Sequence, residues 1–297
     1  MTEAAPTGLS FGDRLSTVFA TRGQLCVGID PHAWLLTDWG LPDTAAGAEA
    51  FGRRVVEAAV GLAGIVKPQI GFYERFGSVG YAALERVLAD ARDAGLLVIA
   101  DVKRGEIGTS MEAYGEAWLT PGSPLEVDAI TVNPFLGVGS LDASLDLAVA
   151  SGKGVFVLAA TSNPEGKTIQ TSLVTDGPRS GLSVARAILD EVTERNVAVT
   201  VAAAQPELGS IGVVLGATLD LATFGIDVST PVTGPLPPVL APGFGHQGAA
   251  IADLASIYGS FAAGVIVSES RSVLSAGPDR LSASIARRVT EIGAARG

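Results

Sequence analysis

The chain is poor in the residues that build metal centres and disulfides. Among 297 residues there is one cysteine, Cys26, and there are two histidines, His32 and His246. A single thiol rules out an internal disulfide framework, which fits a reducing compartment, and a cytoplasmic protein is expected. Two histidines far apart in sequence, with one cysteine, do not supply a zinc cluster, so no metal site is expected. Cys26 lies inside an apolar run and reads as core packing. Charge is also scarce: charged residues make up 17% against 47% hydrophobic, which excludes global disorder and leaves material for a large core. Positive charge is scarcer still, with 20 Lys and Arg against 31 Asp and Glu and a net charge of −11. That balance argues against nucleic acid or an anionic membrane as partner, and an anionic ligand would need a local positive site. No apolar run reaches the roughly 18 residues of a membrane span. The start, MTEAAPTGLSFGDRL, lacks the basic-then-apolar pattern of a secretory signal.

What is present is alternation. Short apolar runs fall at 25–30 (LCVGID), 65–70 (IVKPQI), 96–103 (LLVIADVK), 129–133 (AITVN), 155–161 (VFVLAAT), 211–215, 239–241 and 265–267. Between them, helical patterns are read at 11–22, 44–62, 77–94 with Gly95 as its C-cap, 109–118, 140–150, 181–196, 248–259 and 281–295. TSME at 109–112 fits a capping box. Residues 1–10 read as a loose tail, 32–42 as turn residues around Trp34 and Trp39, 165–180 as a long polar loop, and 197–204 is ambiguous. Strands that alternate with helices form a parallel sheet with helices outside. Eight such units in under 300 residues predict a closed (β/α)₈ barrel, the TIM barrel; an open doubly wound sheet is the alternative. With no linker and no internal repeat, one domain is expected over 1–297.

One stretch concentrates the chemistry: VIADVKRGEIGTS at 98–110. If the apolar run is a strand, Asp101 and Lys103 point to the same side and Val102 to the other. Opposite charges at the end of a buried strand hold the lysine protonated and aimed. Glu106 follows, where Gly105 and Gly108 loosen the backbone. Such a carboxylate–ammonium–carboxylate row suits delivery of a proton to carbon or the holding of a sugar phosphate. The plainer reading is an ion pair capping a strand.

The other strand ends weigh against the plainer reading. A barrel carries its active site at the C-terminal ends of its strands, and those ends here are Asp30, Lys67, Asp101 with Lys103, Asn133, Thr161 with Ser162 and Asn163, Gly243 with Gly245, and Arg271. Taken singly, Asn133 reads as a turn residue before Pro134, Ser162-Asn163-Pro164 as a turn starter, and Lys67 as a surface lysine. Together they make a site. PGFGHQG at 242–248 follows a strand and opens a predicted helix, where backbone N–H groups favour phosphate. Arg271, after the eighth strand, can grip phosphate with two donors. The same letters spell G-x-G-x-x-G, with Glu269 where a dinucleotide's ribose acid would fall, but the chain leaves no room for the rest of a Rossmann half after it.

Seven motifs occur in an order that resembles the orotidine 5′-phosphate decarboxylase family, in its longer bacterial group: GIDPH at 28–32, VKPQIGFYERFG at 66–77, ADVKRGEIGTS at 100–110, TVNPFLG at 131–137, TSNPEG at 161–166, PGFGHQG at 242–248 and VSESR at 267–271. The resemblance implies a dimeric (β/α)₈ barrel that converts orotidine 5′-phosphate to uridine 5′-phosphate and CO₂ with no metal or organic cofactor. It implies Lys103 as proton donor to C6, Asp101 beside the departing carboxylate, and Lys67 and Asp30 on ribose hydroxyls. By the same resemblance Ser162 and Asn163 meet the pyrimidine edge, Gln247 and Arg271 hold the phosphate, and Glu106 and Thr109 reach the neighbouring subunit's site. The family pattern has Asp where this chain has Glu106, and a displaced carboxylate on the order of 1 Å costs about 100-fold in rate.

Three other readings compete. A Schiff-base aldolase would need a neutral Lys103, which flanking carboxylates disfavour. A keto-sugar-phosphate decarboxylase shares the D-x-K strand end and uses Mg²⁺. A barrel that binds nucleotide without turning it over is the non-enzymatic reading.

Overall fold

The computed structural model describes residues 8–200 and 207–295. Eight strands, β1 (Leu25–Ile29), β2 (Ile65–Pro68), β3 (Leu97–Arg104), β4 (Ala129–Val132), β5 (Gly154–Ala160), β6 (Ile211–Leu215), β7 (Val239–Pro242) and β8 (Val265–Glu269), pair in parallel. They run in chain order around a closed barrel, with β1 against β8. The expected (β/α)₈ architecture is therefore present, and the open-sheet alternative is not.

Two-residue alternation divides each strand. Cys26, Ile65, Ile99, Ala129, Phe156, Val214, Leu240 and Ile266 form one buried cluster, which the alternation assigns to the barrel interior. Their neighbours Val27, Val66, Val98, Ile130, Val157, Val213, Val239 and Val265 belong to the larger cluster packed under the helices. Both faces are covered, so each strand appears in the sequence as an unbroken apolar run.

The N-terminal end of the barrel is sealed by the helix Phe11–Arg22. Ser10 starts it with a capping box: its hydroxyl accepts the Asp13 N–H at 3.1 Å, and the Asp13 carboxylate accepts the Ser10 N–H at 3.2 Å. Fully buried Phe11 joins the interior cluster and meets Phe156 edge-on at 6.0 Å. Gly154 makes room, since a Cβ there would stand 2.5 Å from the Phe11 ring. Arg14 pairs with Asp128, whose other oxygen accepts the Val98 N–H at 2.8 Å.

Helices Ala45–Ala59, Gly77–Asp93 and Leu281–Ala295 fall where the periodicity predicts them. Several local expectations are corrected. Residues 32–42 contain the helix Ala33–Asp38; Trp39 is buried against Phe51 at 4.3 Å and donates to the Leu274 carbonyl at 3.2 Å, so packing overrides turn-like composition. The helix Gly108–Leu119 starts from Ile107 without a side-chain cap, which places Thr109 inside the helix and abolishes the capping box read at 109–112. The helix expected at 248–259 is a 3₁₀ turn, Ile251–Asp253, leading into the short helix Leu254–Tyr258. Residues 165–180 are not one open loop. A 3₁₀ turn, Pro164–Gly166, and a helical turn, Lys167–Gln170, lie within the segment. Gln170 accepts the Thr161 N–H at 3.0 Å, and Arg179 donates to Glu194 at 2.5 Å. Of the ambiguous stretch, 197–200 extends the helix Val184–Thr200 and 201–204 lies outside the described residues, as does most of the expected N-terminal tail.

Phe11→Ala should cost about 3–5 kcal/mol of stability, the usual range for deleting a buried phenyl ring. Equilibrium urea unfolding checks this, with the loss appearing in the midpoint and not in the slope.

Candidate active site

The interior register that is apolar through the lower barrel turns polar one step further along the strands. Following the alternation, Ile65 gives way to Lys67 and Gln69, Ile99 to Asp101, Ala129 to Thr131, and Ile266 to Ser268 and Ser270. All of these line a cavity of about 740 Å³ at the C-terminal end of the barrel, together with Asp30, His32, Lys103, Ser162, Asn163, Gly243, His246, Gln247 and Arg271. That volume suits a small organic ligand.

Asp101 is the hub. It is 8% exposed, and its two oxygens accept four side-chain donors. Oδ2 takes Lys67 Nζ at 2.9 Å and Gln69 Nε2 at 3.0 Å; Oδ1 takes Lys103 Nζ at 2.6 Å and Thr131 Oγ1 at 2.8 Å. Burial would raise the Asp101 carboxyl, but the ammoniums of Lys67 and Lys103 outweigh it and hold it well below the usual carboxylate range. Burial would likewise lower the equally buried Lys67 ammonium, and the carboxylates of Asp101 and Asp30 reverse that and hold it above an ordinary lysine. Asp101 and Lys67 are thus both charged at neutral pH. Cys26, beneath it, is fully buried and its thiol is pushed up to about 12 chiefly by burial, in keeping with inert packing.

Lys103 is the one non-glycine residue with positive φ among the described residues, at 47°. The β3–β4 register shifts between Ala100 and Arg104 around it. A lysine in this region carries backbone strain, on the order of 1–3 kcal/mol. Thr131 offsets it: the hydroxyl that donates to Asp101 also accepts the Lys103 N–H at 3.0 Å. Lys103 and Asp101 do point the same way, as alternation implies, but by way of a bulge. Lys103 is also far more open than Lys67, its side chain 45% exposed against 10%, although both line the cavity.

At the far end of the cavity, Ser162 Oγ donates to Gln247 Oε1 at 3.3 Å, joining the ends of β5 and β7. Asn163 is exposed and bonded to Thr161 and Glu165. His32 lies edge-on to Phe72 at 4.4 Å and is pushed down first by burial, with Arg271 and Arg75 adding to this and Asp30 opposing it. Asp30 Oδ1 and Ser270 Oγ, both at the cavity wall, are buried without a hydrogen-bond partner among the described residues.

Of the residues singled out from sequence, the cavity gathers Asp30, Lys67, Asp101, Lys103, Ser162, Asn163, Gly243, Gln247 and Arg271. It does not include Glu106, Thr109, Asn133 or Gly245. Glu106 is half-buried and caps the Ile107 N–H at 3.0 Å. Thr109 is exposed on its helix, and Asn133 accepts the Phe135 N–H at 3.1 Å, the turn role first read for it. Residues 245–247 form a 3₁₀ turn, and the loop closes on itself through Gly245 N–H to Ala249 O and Ala249 N–H to Gly243 O; the helix N-terminus expected behind the phosphate does not follow it directly. Glu269 lies at the cavity wall with its carboxylate fully buried and bonded to Ser272 and Arg288. Gln69, Thr131 and Ser270 were missed, although a second two-residue step from Lys67, Ala129 and Ser268 points to each. Among the described residues no His, Cys, Asp and Glu cluster could hold a metal ion.

Known proteins match this arrangement. The model of the orotidine 5′-phosphate decarboxylase / HUMPS family fits residues 23–284. An orotidine 5′-phosphate decarboxylase of Salinispora arenicola is 51% identical over 270 residues, covering 91% of each chain, and one of Nocardioides sp. is 52% identical over 266 residues, covering 90% of this chain and 92% of its own. Among solved structures, a Streptomyces avermitilis protein assigned as an orotidine 5′-phosphate decarboxylase superposes with TM-score 0.87 at 47% identity, covering 99% of both chains. The Leishmania donovani OMP decarboxylase superposes at 0.73 with 29% identity, covering 97% of this chain and 99% of its own. With the match running from before the first strand into the last helix, the chain belongs to the orotidine 5′-phosphate decarboxylase / HUMPS family.

Proposed function

We propose that this chain decarboxylates orotidine 5′-phosphate to uridine 5′-phosphate and CO₂, the closing step of uridylate synthesis, with Lys103 as the proton donor. The observation that carries this is the Asp101 hub: one buried carboxylate holding a largely buried ammonium at the cavity wall, Lys67, and an open one, Lys103. Breaking the bond from C6 to its carboxylate leaves an electron pair on C6. A fixed ammonium there stabilises the charge as it develops, then transfers its Nζ proton to C6. Lys103, left neutral, regains a proton from solvent, to which it is open. Asp101, kept ionised, repels the substrate carboxylate, and loss of CO₂ relieves that repulsion; this ground-state contribution is secondary to the electrostatic one.

The remaining roles follow the cavity's shape. Asp30 and Lys67 take ribose hydroxyls, with the unpartnered Asp30 Oδ1 as acceptor. Ser162 and Asn163 face the pyrimidine edge. Gln247, Arg271 and the backbone at Gly243 hold the phosphate, whose binding energy orders the loops and aims the ring. The protein works as one domain over 1–297, in the cytoplasm, as a homodimer. Exposed Ile107, Phe135 and Leu136, on the adjacent loops after β3 and β4, support a second copy covering that side. Glu106 and Asn133 sit on the same loops and Thr109 in the first turn of the helix that follows, where Glu106 and Thr109 would serve the neighbouring cavity.

Three measurements test this. Loss of the ultraviolet absorbance of orotidine 5′-phosphate should proceed unchanged in EDTA with the wild type, and Lys103→Ala should lower kcat by at least about 10³-fold, the scale of a lost general acid and charge stabiliser; an EDTA-sensitive wild type contradicts the proposal. Thr131→Val, which keeps the shape and removes the hydroxyl, should lower kcat by about 10–100-fold through misplacement of Lys103, with uridine 5′-phosphate affinity nearly unchanged in calorimetry. Equimolar mixing of inactive Glu106→Ala and Lys103→Ala chains should restore roughly a quarter of the wild-type rate, because in a two-fold dimer half the pairs are mixed and each then holds one complete site; no recovery on subunit exchange contradicts a shared site.

A further inference from the structure

Glu269, at the last position of β8, is a carboxylate that the proposed chemistry does not use. Its side chain is fully inaccessible. Oε2 accepts Ser272 Oγ at 2.5 Å and Arg288 Nε at 2.9 Å, and Oε1 has no partner among the described residues. A buried carboxylate is retained at considerable desolvation cost unless it is paired, and this pairing is non-local. Ser272 lies in the first turn after β8, next to Arg271. Arg288 comes from the last helix, Leu281–Ala295, where Glu291 takes its Nη1 at 2.5 Å and fixes the plane of the guanidinium.

The third nitrogen of that guanidinium connects the cluster to the other phosphate-side loop. Gly245 sits in the loop after β7 at φ 68°. A Cβ built there would stand 3.0 Å from Arg288 Nη2 and 2.9 Å from Ser272 Cβ. The loop backbone therefore rests directly on both partners of Glu269, and any larger residue at 245 would push it off them.

We infer that Glu269 and Arg288 are positioning residues that lock the loop after β7 to the turn carrying Arg271, so that the two halves of the phosphate grip keep one separation. The pair touches neither the pyrimidine nor the reacting carbon. It acts behind the grip, and it places a cation behind a loop of a chain whose net charge is −11. This rests on the phosphate assignment made above for Gln247 and Arg271, not on the identity of the heterocycle.

The test is a double-mutant cycle read by calorimetry with uridine 5′-phosphate, on wild type, Arg288→Met, Arg271→Ala and the double variant. Arg288→Met should weaken uridine 5′-phosphate at least about 10-fold in the wild-type background and less than about 3-fold once Arg271 is gone, since the brace then has one half of the grip left to hold. An equal loss in both backgrounds means a merely structural role and overturns the inference, as does no loss in the wild-type background. Glu269→Gln, which keeps the shape and removes the charge, should reproduce the Arg288→Met pattern if the Met variant fails to fold. Wild type that binds uridine 5′-phosphate but leaves orotidine 5′-phosphate intact would refute the proposed reaction and leave the brace standing. Wild type that does not bind uridine 5′-phosphate refutes the brace.

Discussion

The whole site depends on keeping one carboxylate ionised inside a low-dielectric barrel. Burial by itself pushes Asp101 toward its protonated form and Lys67 toward its neutral one; each makes the other's charge tenable. Four donors on two oxygens leave the carboxylate no freedom to rotate. The neighbouring Lys103 is thereby held in position before any ligand arrives. Such preorganisation is where enzymes obtain most of their electrostatic stabilisation, because nothing has to reorient while charge develops.

The barrel supplies this arrangement by continuing a simple pattern past the point where the core ends. In the lower half, the inward positions carry Cys26, Ile65, Ile99, Ala129 and Ile266, closed off below by Phe11. Two residues further along the same strands stand Lys67, Asp101, Thr131 and Ser268. Stability and chemistry are stacked along one axis, and the apolar layer gives the charged layer a dry floor. The side proposed to take the phosphate is built differently: its parts come from separate loops after β7 and β8, and Arg288 of the last helix bonds the Glu269 carboxylate behind them.

That difference explains what could be read from the sequence. The eight strands, their parallel order and the polar character of their ends depend on local pattern, and each lies within one or two residues of where the pattern puts it. Asp101 and Lys103 stand two apart in sequence, so their meeting was legible. Gln69, Thr131 and Ser270 obey the same alternation and were legible in principle. By contrast, nothing near Glu269 in sequence announces Arg288, and nothing in the polar composition of 165–180 announces that Gln170 and Arg179 pin it down. The helix Ala33–Asp38 was hidden because Trp39 is held by Phe51 and Leu274, contacts that arise after the chain has folded. Glu106 and Thr109 stand outside the cavity of their own chain, where a single chain's geometry gives them no work.

The left-handed backbone at Lys103 has an evolutionary corollary. A residue with a small flexible backbone penalty, glycine above all, would relax that bulge and stabilise the fold, as would any change that let the strand run straight into β4. Every such improvement also moves or removes the amine. At this position selection for robustness and selection for turnover pull in opposite directions, so lineages adapting to heat must find their gains elsewhere in the barrel.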